Sequence, residues 1–340
     1  MQRIDFVLPW VDGSDEAWLA LKRKYQESAT NVSGTAEANA DCRYHDYGML
    51  RYWFRSVERF APWVNRVFFV TCGQKPEWLD ESNPKLRLVN HTDYIPADYL
   101  PTFQSNTIEL NLHRIADLSE QFVLFNDDTF LLRPVEPEFF FKKGLPVISC
   151  DLGIPRWLNY NSFSRTVINN SGVLKQSLDV EHLVWENIWK FIDVREIGFK
   201  RAIKNLMSFA INKVVIPGSF GHLPTAQLKS TFDEAWRTAP RAMDATSRTR
   251  FRSDDSVNQW LMSAWNMISG RFCPANEKRK GQYFDINMRT LAQICDSIRR
   301  QSFPQLCVSD RVSGPEMEQC FAELGRTFEI LLPDKSTFEK

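Results

Sequence analysis

An α/β fold with a mostly parallel sheet is predicted by three observations. Apolar runs of strand length alternate with stretches whose apolar residues recur at helical spacing, the pattern of parallel strands joined by helices. Several of those runs end in polar residues: residues 4–8 lead to Asp12, residues 66–71 to the Gly73-Gln74 turn, and residues 122–125 straight into Asn126-Asp127-Asp128. The chain has 340 residues, 43% of them hydrophobic, enough to bury a sizeable core in one large domain or two modest ones.

Taken in order, residues 4–8 read as a buried strand and Pro9 to Asp15 turns the chain. Residues 27–41 are small and polar, which predicts a surface loop. A helix follows over about 47–60. Met49, Leu50, Trp53, Phe54, Val57 and Phe60 share one face, and Arg51, Arg55 and Arg59 share the other, free to meet phosphate or water. Pro62 stops it. Residues 66–71 and 86–90 are further strands. A helix over 106–119 turns Ile108, Leu112, Ile115 and Leu118 inward and Glu109 and His113 outward. The strand 122–125 then ends at the acidic turn. In parallel sheets ligands bind beyond the C-terminal strand ends, so Asp12, Thr71 and Asp127-Asp128 can converge on one crevice.

The second half differs. Residues 173–214 are helix-rich and carry a basic run, Lys200, Arg201 and Lys204. Helical patterns recur near 256–268 and 286–299, and residues 306–308 form a late strand that ends at Asp310. There is no internal repeat.

Composition removes several function classes. Forty-two Lys plus Arg against forty-two Asp plus Glu leaves no net charge, which argues against broad nucleic-acid binding. Gly-rich phosphate loops of the Walker or dinucleotide kind are absent, as are G-x-S-x-G and HExxH. Seven cysteines without a CxxC pair suggest neither a disulfide framework nor a zinc knuckle. Met1-Gln2-Arg3 leads directly into a strand, and no apolar stretch has membrane-helix length. A cytoplasmic protein is expected, with peripheral membrane association and homo-oligomerisation left open.

Few residues offer chemistry. Two adjacent carboxylates at a strand end suit a hard cation, Mg²⁺ or Mn²⁺, that shares its shell with diphosphate oxygens; a solvated acidic turn fits the pattern equally. His222 can exchange a proton near neutral pH or sit satisfied in a core. Arg252, in Arg250-Phe251-Arg252-Ser253-Asp254-Asp255, can grip phosphate or belong to a surface cluster. Trp10 can stack on a base or sugar, or simply pack.

Blocks of residues in a fixed order add to this reading. They are residues 4–15; Leu50-Arg51-Tyr52 with residues 55–58, 61–64 and 70–74; residues 100–103 through Glu109 and His113 to Asn126-Asp127-Asp128; His222-Leu223-Pro224, residues 229–232 and 250–252; and residues 306–310 and 333–339. In these the chain resembles the Stealth family of sugar-phosphate transferases, which includes bacterial capsular polysaccharide phosphotransferases and the catalytic subunit of the lysosomal GlcNAc-1-phosphotransferase. Ser309 departs from the Asn usual in the family.

The resemblance implies a single catalytic domain over 1–340. Its core is a Rossmann-like nucleotide-sugar transferase fold: a nucleotide-sugar-binding half (1–150), a helix-rich insertion that could form the acceptor side (151–215), and a segment that completes the active site (216–340). It implies transfer of a hexose 1-phosphate, such as GlcNAc-1-phosphate, from a UDP-sugar to a glycan hydroxyl, with release of UMP, in capsule or exopolysaccharide synthesis. It implies Asp127, Asp128 and Asp310 as ligands of Mg²⁺ or Mn²⁺, His222 as base, Arg252 as phosphate-holding cation, and Trp10, Asp12 and Arg51 around the nucleotide. A metal-dependent glycosyltransferase releasing UDP and a non-catalytic glycan-binding protein are the alternatives.

Overall fold

The most apolar runs become the centre of the sheet, and the one carboxylate among them, Asp5, is satisfied there by the Asn65 amide and the Ser119 N–H. The computed structural model describes residues 3–27, 44, 46–150, 162–212, 222–310 and 314–340. The strands are β1 (Ile4–Pro9), β2 (Val67–Thr71), β3 (Leu86–Asn90), β4 (Gln121–Leu124), β5 (Thr129–Leu131), β6 (Phe141–Lys142), β7 (Leu145–Ser149), β8 (Thr225–Leu228), β9 (Cys273–Ala275), β10 (Gly281–Asp285) and β11 (Gln305–Ser309). The main sheet has the order β3-β2-β1-β4-β8. Its first four strands run parallel, and β8 is antiparallel to β4. The expected Rossmann-like α/β core with a mostly parallel sheet is therefore present.

Alternation along the strands sorts side chains to two core layers. Phe6, Leu8, Phe69 and Val123 face one layer with the helices Leu50–Phe60 and Pro315–Leu331. Val7, Phe68, Val70 and Phe122 face the other, with Phe232 and the wholly buried helix Trp260–Ile268. Burial on both faces is what continuous apolar strands require. Aromatic edges fill the first layer: the ring of Phe6 lies 5.6 Å from Trp63 and 4.8 Å from Phe125.

A second sheet, β10-β11-β5, is joined to the first through the turn after β4. β10 and β11 are parallel, and β11 is antiparallel to β5 with Cys307 opposite Thr129. The third small sheet is β6-β7-β9. Between β7 and β8 the described residues are helical, at Ser162–Ser177, Val180–Glu186, Ile188–Phe191, Val194–Ile197 and Phe199–Asn212. The predicted loop at 27–41 and the ends of the insertion (151–161 and 213–215) lie outside the described residues, except for Glu27 itself, which ends a helix. No helix among the described residues is long and apolar enough to cross a membrane.

The expected helix over 106–119 is shorter. It spans Ser105–Leu110 and gives way to a single tight turn at Leu112–Arg114. Its continuation fails because other groups take its carbonyls. Trp236 Nε1 donates to the Leu110 carbonyl at 2.8 Å, and Lys229 Nζ donates to that of Ile115 at 2.8 Å. Glu109 and His113 consequently do not face outward; both are 8% exposed. Burial, then the charge of Arg114, depresses the His113 imidazole to about 4.

Arg55 also departs from expectation. It is buried, because the end of the chain covers that face of the helix Leu50–Phe60. Its Nε and Nη2 donate to the two oxygens of Glu339 at 2.8 and 3.0 Å, and Nη1 donates to Glu329 and to the Leu332 carbonyl. Burial alone would raise the Glu339 carboxyl, but Arg55 and Ser336 together hold it below its ordinary value. A buried fork of this kind is costly to break from one side, since the remaining charge loses its partner. Arg55→Met is expected to lower the unfolding free energy by about 3 kcal/mol at neutral pH. A depressed carboxylate stabilises the fold above its unfolded-state value and ceases to do so as the pH falls, so the gap between wild type and variant should shrink below about pH 4. Urea titrations at neutral and acid pH measure both; a gap that does not narrow in acid removes Glu339 from the account.

Candidate active site

Three parallel strand ends open onto one cavity of about 770 Å³. Pro9 ends β1 and Trp10 and Val11 follow it, Cys72 follows β2, and Asn126, Asp127 and Asp128 follow β4. This is where the polarity of parallel strands leaves unoccupied backbone ends and room for a ligand. The second sheet closes the other side. Val308 N–H donates to the Asp128 carbonyl at 2.9 Å, and the Cys307 thiol donates to Asp128 Oδ2 at 3.4 Å. Asp310, two residues further on, lines the same cavity.

The acidic groups there interact strongly. The Asp127 carboxyl is pushed up to about 8, first by burial, then by the charges of Asp128, Asp46 and Asp310. Asp46 is also raised, chiefly by burial, although the Gly48 and Met49 N–H groups donate to it at 2.9 and 3.2 Å. Carboxylates so placed repel one another until a cation compensates them. Oxygen-only donors suit Mg²⁺ or Mn²⁺. Among the described residues no three His, Cys, Asp or Glu side chains form a ready cage.

His222 and Arg252 line the cavity as well. The imidazole of His222 is exposed to it and lies between two rings, 5.8 Å from Trp260 and 5.1 Å from Tyr283. Arg252 Nη2 donates to Ser105 Oγ at 3.1 Å. Beneath it, Glu109 is raised by burial, with the Arg252 charge and Ser105 acting against that rise. The strip around Arg252 is laced to the segment 101–105: Phe103 N–H donates to the Arg250 carbonyl at 2.9 Å and Arg250 Nη1 to the Pro101 carbonyl at 2.9 Å. Arg250 is thereby structural, and Arg252 is left facing the cavity.

Six of the eight residues singled out from the sequence thus share one cavity: Trp10, Asp127, Asp128, His222, Arg252 and Asp310. Asp12 and Arg51 are not among its lining residues. Asp12 caps its own turn, accepting from Ser14, and its backbone is held by Gln74, whose side chain bonds Asp12 N and O at 2.9 and 3.0 Å. Arg51 is exposed and lies 5.7 Å over the Trp78 ring. Cys72 and Glu109 do line the cavity. His113 does not; it stacks on Phe232 and Trp236. Asp46, His91, Thr102 and Gln104 were not foreseen. Asp46 reads as an ordinary helix-capping residue, His91 follows β3 without a motif to mark it, and tertiary packing brings Thr102 and Gln104 to the strand ends. The one sequence signal was the X-Pro-Thr-Phe block at 100–103, which marked a fixed loop without naming its role.

Comparison with known proteins bears on the whole chain. Residues 2–29 match Stealth protein CR1, conserved region 1, and residues 43–148 match Stealth protein CR2, conserved region 2. The chain is 38% identical over its full length to the capsular polysaccharide phosphotransferase WcwK of Streptococcus pneumoniae, all of which it covers. It is 36% identical over its full length to the receptor polysaccharide phosphotransferase WefC of Streptococcus gordonii, covering 99% of that protein. It is 34% identical to the exopolysaccharide phosphotransferase cps2G of Lactiplantibacillus plantarum, over 99% of this chain and 96% of the relative. Among solved structures, the galactosyltransferase LgtC with donor and acceptor sugar analogs is similar at 12% identity and a TM-score of 0.40, over 98% of this chain and 96% of that one.

The acidic cluster has a measurable signature. A carboxyl held protonated in the folded state favours folding at low pH, and that contribution disappears as the pH rises through about 8. In chelator-treated protein the melting temperature is expected to fall from about pH 4 to about pH 8. Asp127→Asn should lose much of that fall, and Mn²⁺ should offset it in the wild type at the alkaline end. A wild type and variant with the same pH dependence would count against the cluster.

Proposed function

We propose, from the premise that this chain belongs to the Stealth family, that it moves a hexose 1-phosphate from a UDP-sugar onto a hydroxyl of a glycan acceptor and releases UMP. The chain is a transferase of the polysaccharide phosphotransferase kind, and the setting we infer is capsule or exopolysaccharide synthesis. The observation that supports this reading most is that the three carboxylates, one histidine and one arginine expected for such a transfer line a single cavity.

Each group has a task that its surroundings permit. Asp127, Asp128 and Asp310 would hold Mg²⁺ or Mn²⁺, which neutralises diphosphate charge. Arg252, anchored through Ser105, would hold the phosphate that is transferred; a fixed guanidinium matches phosphate oxygens in pairs. His222 would take the proton of the attacking hydroxyl. The acceptor oxygen bonds to the phosphorus that carries the sugar. The bond from that phosphorus to the bridging oxygen breaks, and UMP leaves with the electron pair. The bond between the anomeric carbon and its oxygen is untouched, so the configuration there is kept. Positioning and charge stabilisation should supply most of the acceleration, as in other phosphoryl transfers.

Trp10 would contribute a face for the nucleotide. Asp12 would act at one remove, through Gln74, in fixing the turn after β1. Thr166, on the helix Ser162–Ser177, lines the same cavity, which supports the helix-rich insertion as the acceptor side. Among the described residues no two cysteines are joined by a disulfide.

A panel of UDP-sugars incubated with a capsular glycan acceptor should yield UMP. Release of UDP instead would sink the reading in favour of ordinary glycosyl transfer. Asp128→Ala and His222→Ala should each lower turnover about a hundredfold or more while melting like the wild type. Turnover near the wild-type rate in either folded variant would strip that residue of its role.

A further inference from the structure

The end of the cavity under β3 carries polar groups that the transfer chemistry does not use. His91 follows β3 directly. Asn90 is paired with Thr71 across β2, so His91 comes level with Cys72, and both line the cavity. Thr102 and Gln104 approach from the loop before the helix Ser105–Leu110 and also line it. Tyr94, in the same short helix as His91, donates its hydroxyl to the Ile108 carbonyl at 3.1 Å and ties the two segments together.

Three atoms there are buried without a hydrogen-bond partner: His91 Nε2, Thr102 Oγ1 and Gln104 Oε1. The residues are 8%, 5% and 2% exposed. Leaving such atoms unsatisfied is costly, which makes each one a request for a ligand group. The request from Gln104 is specific. Its Nε2 donates to the carbonyls of Thr246 and Thr249 and to Thr249 Oγ1, at 3.2, 2.5 and 2.6 Å. The Thr249 hydroxyl hydrogen is already given to the Thr246 carbonyl at 2.7 Å, so that oxygen can only accept. The amide therefore cannot flip, and Oε1 is fixed as an acceptor that wants an N–H. Thr102 and a neutral imidazole at His91 can each supply a donor in the same cavity.

An acceptor that shares a cavity with two donors can complement an imide edge, N–H between two carbonyls. Uracil has that edge. Cytosine offers a bare ring nitrogen where the N–H would be, so two acceptors would face each other. The location also fits. β4, whose end carries the acidic cluster, is three strands from β3, roughly 14 Å across the sheet, about the reach of a nucleoside phosphate. Trp10, after β1, stands between them in strand order.

We infer that His91, Thr102 and Gln104 form the nucleobase subsite and select uracil over cytosine through Gln104 Oε1. The inference rests on the nucleotide-sugar reading above and names which residues choose the nucleotide.

Calorimetric titration of UMP and CMP into the full chain with Mg²⁺ tests it. The wild type should bind UMP about tenfold or more tightly than CMP. Gln104→Met should bring the two together by weakening UMP. Thr102→Val is close to isosteric and keeps the fold testable; it should weaken UMP about fivefold or more with an unchanged melting temperature. Equal affinities of the wild type for UMP and CMP would overturn the subsite and leave the nucleotide reading standing, as would a folded Thr102→Val that binds UMP like the wild type, the outcome expected if these atoms only hold water. Binding of neither nucleotide would overturn both.

Discussion

The pairing of β11 with β5 is the constraint on which the site depends. The two strands come from regions 179 residues apart at the Cys307–Asp128 contact. Their antiparallel register sets Cys307 opposite Thr129, so the residues beyond each strand end, Asp128 on one and Asp310 on the other, come to the same cavity. A slip of one residue in that register would turn Cys307 and the side chains beside it to the opposite face. The acidic cluster is thus a product of sheet geometry rather than of local sequence. The same pairing ties the middle third of the chain to its last third.

The electrostatics follow from that geometry. Bringing Asp46, Asp127, Asp128 and Asp310 together costs folding energy, visible in the high value of Asp127. A stable fold tolerates such a cost where a ligand repays it. The rest of the cavity is built to be rigid: Gln74 clips the β1 and β2 ends, and the segment 101–105 is laced to 249–252. Groups held by that lacing, Arg252 among them, have little freedom to lose on meeting a ligand, which is what catalysis by positioning would use.

The sequence was informative where chemistry and periodicity coincide. The apolar strands 4–8, 66–71, 86–90 and 122–125 were legible because both of their faces are buried, and the acidic turn because it directly follows one of them. Asp310 was legible only as part of a family pattern, since nothing in its neighbours tells which distant strand it will pair with. Arg55 was misread because helical spacing tells which residues share a face but not what covers it; the residues from Leu332 to Glu339 do. The helix at 106–119 was misread because Lys229 and Trp236, more than a hundred residues away, capture its carbonyls. His91 and Gln104 left no trace in the pattern, and Thr102 stood only inside a block of the family resemblance. Their significance lies in bonds they do not make, and a sequence does not display those.

One sulfur atom carries a consequence outside catalysis. Cys307 is wholly buried against Asp128, and burial together with the surrounding carboxylates holds its thiol far above the usual range. Oxidants and alkylating reagents attack the thiolate, the form that burial and the neighbouring carboxylates disfavour here. The centre of the site can therefore keep a cysteine beside its acidic cluster without becoming a target of peroxide, and treatment with maleimide should leave that position unlabelled for as long as the chain stays folded.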